Sequence, residues 1–352
     1  MAGTGTFRVD ASVGSRSGVV SGLPFHVAGS GCVLTRRGGR LVAFRDGALR
    51  ASAPLTMVGE VIVSGRVTVT TAALHTLLAN DIPLVLLTES GRPLGRLEPP
   101  GAPHIQARTR QLDLHRDPAL RLSVGRQIVA GKIHNQGVLL RRRARRSRDP
   151  DAVWSAAARL AQLQDAVTDA ADIPALLGME GAAAGAYFGA IRSVLAPGYG
   201  FDTRDRARRD LVNMLINYCS ALLRETVISA LLCAGLDPYL SFLHNPSRGR
   251  PTLAFDLMEE WRPVLLESTV LALLGLGSAT VEGLVSTPEG VSLSSELRSA
   301  AVHRLHSRLA APARGWPSPS GSPSYGDLVR RQALRLRGML VDGGDYEPFR
   351  WR

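Results

Sequence analysis

The chain has 352 residues, 45% of them hydrophobic, and a formal net charge of +12 at neutral pH. This length exceeds that of a typical single domain, so two domains with a sizeable core are expected. Three widely spaced cysteines exclude a disulfide framework, and so basic a charge is typical of proteins with a polyanionic partner. The first residues lack the basic and apolar regions of a secretory signal, and the apolar run at 264–277 is too short to span a membrane. We therefore expect a cytoplasmic protein that does not bind membranes.

The N-terminal part of the chain has the pattern of β structure. Residues 1–24 are rich in Gly, Ser and Thr, which indicates a flexible arm. Residues 25–100 contain short β-branched runs separated by turn signals such as Asp46-Gly47, and they predict a small β domain. The sequence EPPGAP at 98–103 is typical of a linker.

Residues 101–352 predict a larger, all-α-helical domain, so the expected fold class is α+β. Apolar residues recur there with the period of amphipathic helices. Pro263 is expected to kink its helix. The predicted helices are 127–146, 151–171, 174–194, 206–234, 252–276, 295–311 and 325–340.

A histidine and two carboxylates lie close together in the segment 242–260, which reads FLHNPSRGRPTLAFDLMEE. His244 lies on a Pro/Gly-rich loop. Asp256 and Glu259 are three residues apart and so share one face of a helix, for which Thr252 is the expected N-cap. Each of these residues alone has an ordinary structural explanation. Together, imidazole and carboxylate groups form a ligand set for Mg²⁺ or Mn²⁺.

Glu180 lies in the small-residue segment LLGMEGAAAGAYFGAI, at 176–191. Glycine costs a helix about 1 kcal/mol relative to alanine, so we expect another helix to approach closely and offset this cost. The glycines recur every four residues, at Gly181, Gly185 and Gly189. Glu180 is either a solvated residue or a functional carboxylate, and it would supply the third hard ligand that the His244 and Glu259 pair lacks. A metal site in so basic a protein suggests phosphodiester chemistry on a nucleic acid.

Arginine clusters supply most of the positive charge, since Lys132 is the only lysine in the chain. Each cluster is either a solvated charge run or a surface for DNA phosphates. Arg248 and Arg250 lie inside the His244 loop, where a guanidinium would clamp phosphates beside the metal. The other candidates for DNA binding are Arg141, Arg142, Arg145, Arg146, Arg208 and Arg209.

Four blocks resemble the CRISPR-associated integrase family, whose members insert new spacers into repeat arrays. The likeness extends over residues 25–352, and the C-terminal YEPFRWR also resembles family endings. The ordered set of Glu180, His244 and the Asp-x-x-Glu at 256–259 is its most specific part. The blocks are ALHTLLANDIPLVLLTESGRPLGRL at 73–97, KIHNQGVLLRR at 132–142, LLGMEGAAAGAYFGAI at 176–191, and a segment from 206 through AGLDPYLSFLH to DLMEEWRP at 263.

The resemblance implies a β domain at 25–100 used for dimerisation and a catalytic domain at 101–352. It also implies Mg²⁺ or Mn²⁺ held by Glu180, His244 and Glu259, with Asp256 adjacent. The implied reaction joins the 3′-hydroxyl of a captured DNA fragment to a repeat by transesterification. The implied partners are double-stranded DNA, a second copy of the chain, and a small ferredoxin-like protein that bridges two dimers.

Two other functions fit the residues. A stand-alone metal-dependent nuclease or junction resolvase would use the same groups with water as the nucleophile. A non-catalytic DNA-binding scaffold would need only the basic surface, and the complete Glu, His and Glu set argues against it.

Overall fold

The structure, a computed structural model, describes residues 8–9, 23–88, 93–97, 104–245, 247, 249–287, 290–313, 315–316 and 322–352. Most of the predicted arm therefore lies outside the described residues, but Arg8 and Val9 form a short strand. The described chain is a β-sheet part followed by a helical part, so the predicted α+β class is confirmed. The domain limits at 24/25 and 100/101 stay predictions.

The N-terminal part contains nine described strands and one helix. Their bounds are β1 (Arg8–Val9), β2 (Leu23–Ala28), β3 (Cys32–Arg37), β4 (Arg40–Arg45), β5 (Ala48–Pro54), β6 (Val58–Ser64), β7 (Val67–Val69), α1 (Thr71–Ala79), β8 (Leu84–Leu87) and β9 (Pro93–Leu97). One sheet has the order β1-β2-β6-β8-β9, with parallel pairs in its centre and antiparallel pairs at its edges. The second sheet has the order β5-β4-β3-β7.

The two sheets share one core. Phe25 and Val61 from the first sheet pack with Leu34 and Leu41 from the second, and all four are fully buried. The predicted turn at Asp46-Gly47 joins β4 to β5, and both of its residues have a positive φ, as a tight hairpin requires.

The C-terminal part is built from nine helices and one hairpin within the described residues. Their bounds are α2 (Ile105–Arg116), α3 (Pro118–Ala144), α4 (Pro150–Ala166), α5 (Ile173–Val194), α6 (Leu211–Cys233), α7 (Thr252–Trp261), α8 (Ser268–Gly275), β10 (Leu284–Thr287), β11 (Gly290–Leu293), α9 (Ser295–Ala310) and α10 (Tyr325–Asp342). The hairpin of β10 and β11 departs from the expectation of an all-helical part.

The helix that carries Asp256 and Glu259 begins differently from the prediction. Thr252 is its first residue and not its N-cap, because its hydroxyl donates to the carbonyl of Tyr239 at 2.7 Å. Pro263, where a kink is predicted, lies in a π-helical turn, Arg262–Glu267, that separates α7 from α8. Such turns occur frequently at functional sites.

Helix α6 is the one helix within the described residues that is long and apolar enough to cross a membrane by length and composition. In the structure it packs among the other helices, where Leu215, Cys219 and Leu223 are fully buried. Its last turn also meets the first sheet, since Cys233 packs against Ile62 and Val85.

Candidate active site

Three helices bring the candidate catalytic residues together. Lys132 lies in the middle of α3, Glu180 near the middle of α5, and Glu259 near the end of α7. Each helix begins at a fixed point: Asp117 caps α3, Asp172 caps α5, and α7 follows the proline at 251. Residues that are distant in the sequence therefore meet at one position.

Lys132 joins the two glutamates. Its Nζ donates a short hydrogen bond to Oε1 of Glu180 and lies 2.5 Å from Oε2 of Glu259. Burial alone would raise the pKa of Glu259, but the charges of Lys132 and Arg262 outweigh it and lower the pKa to about 2. Burial would likewise lower the pKa of Lys132, yet the two glutamates raise it. The ion pair therefore favours the charged forms of both Lys132 and Glu259.

His244 is oriented by Asp256. Nδ1 of His244 donates to Oδ1 of Asp256 at 2.6 Å, and this hydrogen bond raises the pKa of the imidazole. The same carboxylate accepts the backbone N–H groups of Phe242, Leu243 and His244 at 2.7–3.1 Å. Asp256 is fully buried, whereas the His244 side chain is 39% exposed. With its Nδ1 proton held, His244 presents the lone pair of Nε2, the arrangement common to metal-ligating histidines.

A second charge layer lies behind Glu259. Nε of Arg262 is 3.8 Å from Oε2 of Glu259 and 3.7 Å from Oε1 of Glu267. Burial raises the pKa of Glu267 to about 7. Arg262 is thus shared between two carboxylates and helps to hold Glu259 ionised.

The C-terminal residues fix α7 against α3. The buried carboxylate of Glu260 accepts the hydroxyl of Tyr346 at 2.5 Å and the backbone N–H of Phe349 at 2.6 Å. The side-chain amide of Asn135 donates to the carbonyls of Glu260 and Phe349, at 2.8 and 2.9 Å. Burial raises the pKa of Glu260 to about 8. Hydrogen bonds to the C-terminal segment therefore hold Asn135 on α3 and Glu260 on α7 together, close to Lys132 and Glu259.

The glycine stripe beside Glu180 is open. A Cβ atom added at Gly181, Gly185 or Gly189 would meet nothing within 4 Å, apart from its own helix, among the described residues. The expectation that another helix covers these glycines was therefore wrong. They lie on the exposed face of α5, while its buried face carries Leu176, Ala183 and Tyr187.

The candidate DNA-binding arginines differ in their contacts. Arg141, Arg145 and Arg146 are exposed at the end of α3. Arg142 instead lies 4.0 Å above the Trp351 ring and donates to the carbonyl of Arg352, so it has a structural role.

The remaining arginines lie near the loops. Arg208 pairs with Asp202 at 3.3 Å, and Arg209 is exposed. Arg250 lies 6.0 Å from the centroid of Phe255, a ring that also contacts His244. Arg248 lies outside the described residues.

The structure brings Glu180 and Glu259 to one cation, and His244 lies near enough to Glu259 and Lys132 for their charges to act on its pKa. Within the described part of the chain, no group of three or more His, Cys, Asp or Glu residues is arranged to hold a metal ion. Lys132 stands between the two glutamates, and Asp256 accepts hydrogen bonds from the His244 loop. Sequence reasoning did not single out Lys132, Asn135 or Arg262, although the only lysine of an arginine-rich chain was a visible signal.

Several solved structures share this architecture. A casposase bound to integration product has a TM-score of 0.77 and 19% identity, covering 92% of this chain and 97% of that chain. A partial Cas6-RT-Cas1–Cas2 complex has a TM-score of 0.76 and 24% identity, covering 92% of this chain and 98% of that chain. These likenesses define the fold class.

Sequence comparison defines the family. Residues 25–307 match the family described as CRISPR associated protein Cas1, and the chain belongs to that family. It is 32% identical over 325 residues to the CRISPR-associated endonuclease Cas1 3 of Thermus thermophilus, covering 90% of this chain and 91% of that protein. It is 34% identical over 298 residues to the Cas4/Cas1 exonuclease–endonuclease fusion of Geobacter sulfurreducens, covering 82% of this chain. The match takes in about half of that fusion's length, 53%.

Proposed function

We propose that this protein is a metal-dependent DNA endonuclease and integrase that joins captured DNA fragments to a repeat array. One observation carries the proposal: Glu180 and Glu259, which lie 79 positions apart in the numbering, converge on one cation beside a histidine oriented by a buried carboxylate. The family supports nuclease chemistry, and the charge of +12 supports a DNA substrate.

The donor set suits Mg²⁺ or Mn²⁺. Glu180 and Glu259 supply hard oxygen ligands, and Nε2 of His244 would complete the set. Side-chain exposures of 24% for Glu180 and 39% for His244 leave this face open to a phosphate group. A bound divalent ion would polarise the phosphoryl oxygens and stabilise the charge that develops on them.

The protein groups around this site position and stabilise the reacting DNA. Asp256 holds the His244 ring and its tautomer, so we assign it an orienting role and not that of a ligand. Arg250 would stabilise charge on the phosphate, and its position near Phe255, a neighbour of His244, supports this role. The open glycine face of α5 gives a DNA backbone room to approach Glu180.

Two partners follow from the same proposal. A second copy of this chain would pair through residues 25–97, since a β part of this size buries little surface alone and its sheets end in edge strands. A small ferredoxin-like protein would bridge two such dimers. The Cas1–Cas2 composition of one structural neighbour supports a partner of this kind.

The test is a joining assay with the full chain and its partner. A duplex with 3′-hydroxyl ends is incubated with a supercoiled repeat plasmid and Mn²⁺. Covalent joining of the duplex to the plasmid is expected. Nicks without joining would point to the nuclease or resolvase, and binding without either product would point to the scaffold.

A further inference from the structure

Lys132 is the only lysine of the chain, and it lies at the proposed metal site. Its side chain is 9% exposed, and its ammonium group contacts both carboxylates that the proposed function assigns to the metal. An isolated buried charge is costly, so this lysine and these two glutamates stabilise one another.

Positively charged side chains already offset part of the negative charge of the two glutamates. Glu180 and Glu259 carry two negative charges, and Lys132 supplies one positive charge between them. Arg262 adds a second positive charge, 3.8 Å from Glu259. Arg262 is shared with Glu267, so Lys132 is the cation that lies directly between Glu180 and Glu259. A divalent ion that binds these glutamates would repel Lys132 at short range.

We propose that Lys132 is a resident cation that competes with the catalytic metal and couples metal binding to DNA binding. This inference rests on the proposed function. In the metal-free protein the ammonium group occupies the position between the carboxylates. When a DNA phosphate enters the site, it offers Lys132 an alternative partner and adds negative charge, and both effects favour the metal.

The chemistry of the side chain fits this role. Lysine carries a compact point charge on a flexible stem, so its ammonium group can move between a carboxylate pair and a phosphate. A planar guanidinium would bind the carboxylates in a fixed bidentate geometry. The presence of a lysine here, in a chain whose other strongly basic side chains are all arginine, therefore supports a mobile cation at this site.

The experiment measures Mn²⁺ affinity of the full chain by electron paramagnetic resonance of the free ion. Lys132→Met keeps most of the side-chain volume and removes the charge. Arg159→Met is the matched control, since it removes one positive charge from the exposed face of α4. Glu180→Gln tests the metal site itself, and circular dichroism verifies that each variant is folded.

We expect Lys132→Met to bind Mn²⁺ at least about tenfold more tightly than wild type, and Arg159→Met to match wild type. The same affinities are then measured with duplex DNA whose 3′ ends are dideoxy, so that no joining occurs. Wild type should gain at least about tenfold in Mn²⁺ affinity with DNA, and Lys132→Met should gain less. If Lys132→Met does not fold, the inference is tested by the change in wild-type Mn²⁺ affinity when DNA is added.

Equal Mn²⁺ affinities for wild type and Lys132→Met, or no gain with DNA in wild type, would overturn the inference. Loss of Mn²⁺ binding in Glu180→Gln would in that case leave the proposed metal site standing. Failure of every protein to bind Mn²⁺, with and without DNA, would overturn both the inference and the proposed metal chemistry.

Discussion

The buried carboxylate of Asp256 pairs with the partly exposed imidazole of His244, with Oδ1 of Asp256 lying 2.6 Å from Nδ1 of His244. The carboxylate also accepts three consecutive backbone N–H groups, so it sets both the course of the loop and the orientation of the ring. All of its hydrogen bonds are made within the protein. This arrangement is the basis for the orienting role that we propose for Asp256.

Asp256→Asn should lower the strand-transfer rate by about 10- to 100-fold, the usual cost of losing a group that orients a metal ligand. The side-chain NH₂ group of the new asparagine would face N–H groups of the His244 loop that need a hydrogen-bond acceptor. DNA affinity should change little. Asp237→Asn is the control, because Asp237 also accepts a loop N–H, from Tyr239, but lies outside the site. Single-turnover rates make the comparison, and a wild-type rate for Asp256→Asn would contradict the orienting role.

The exposed arginines at the end of α3 should account for part of the salt dependence of DNA binding. Replacing Arg141, Arg145 and Arg146 with Ala should reduce the slope of log affinity against log salt by about 2–3, since each phosphate contact contributes about 0.9. Arg142→Ala should instead lower the melting temperature, because Arg142 packs on Trp351. An unchanged slope in the triple variant would make this cluster a solvated surface.

Arg250→Ala should separate catalysis from attraction to DNA. We expect a loss of about 10²-fold in the strand-transfer rate at saturating DNA, with little change in affinity, if its guanidinium stabilises the reacting phosphate. Arg209→Ala should show the opposite pattern, a weaker affinity and an unchanged saturated rate. Titration of DNA in single-turnover assays distinguishes them. A normal saturated rate for Arg250→Ala would place Arg250 only on the binding surface.

Acid should destabilise the protein through His26. Burial, with a contribution from Arg330, lowers the pKa of His26 to about 4 from an ordinary value of 6.5. The unfolded chain therefore binds more protons between these values. Neutral His26 therefore makes its full contribution to the free energy of unfolding above pH 6.5. That contribution, up to about 3 kcal/mol, is lost as the pH drops toward 4.

His26→Gln should flatten that part of the stability curve while keeping a polar partner for Ser64, which lies 2.8 Å from Nε2. Urea unfolding at pH 7, 6, 5 and 4 measures the effect. His75→Gln, at an exposed position on α1, is the control. The same pH slope in His26→Gln and wild type would show that His26 is not the responsible group.

The sequence predicted the elements with strong local patterns. The long amphipathic helices, the Asp46-Gly47 turn and the disturbance at Pro263 follow from period, turn chemistry and a missing N–H. The hairpin of β10 and β11 was missed, because two four-residue strands within a helical region carry little periodic signal. Thr252 was assigned as a cap from residue type alone, and its hydroxyl instead bonds Tyr239.

Long-range contacts limited the prediction of the site. The ordered motif selected Glu180, His244 and Glu259, and the structure brings the two glutamates to one cation. No local pattern indicates that Lys132, 48 positions before Glu180 in the numbering, supplies that cation. The prediction that a helix covers the Gly181–Gly185–Gly189 stripe failed because glycine spacing does not distinguish a packed face from an open one.

We propose that Glu180, with His244 and Glu259, supports metal-dependent joining of a DNA 3′-hydroxyl to a repeat. The direct measurement compares wild type with Glu180→Gln, each with the partner protein, a supercoiled repeat plasmid and Mn²⁺, using duplexes that end in 3′-hydroxyl or 3′-dideoxy groups. Joined product is expected only from wild type with the 3′-hydroxyl duplex and only when Mn²⁺ is present. Joining by folded Glu180→Gln at the wild-type rate, or joining in the presence of a chelator, would contradict the account.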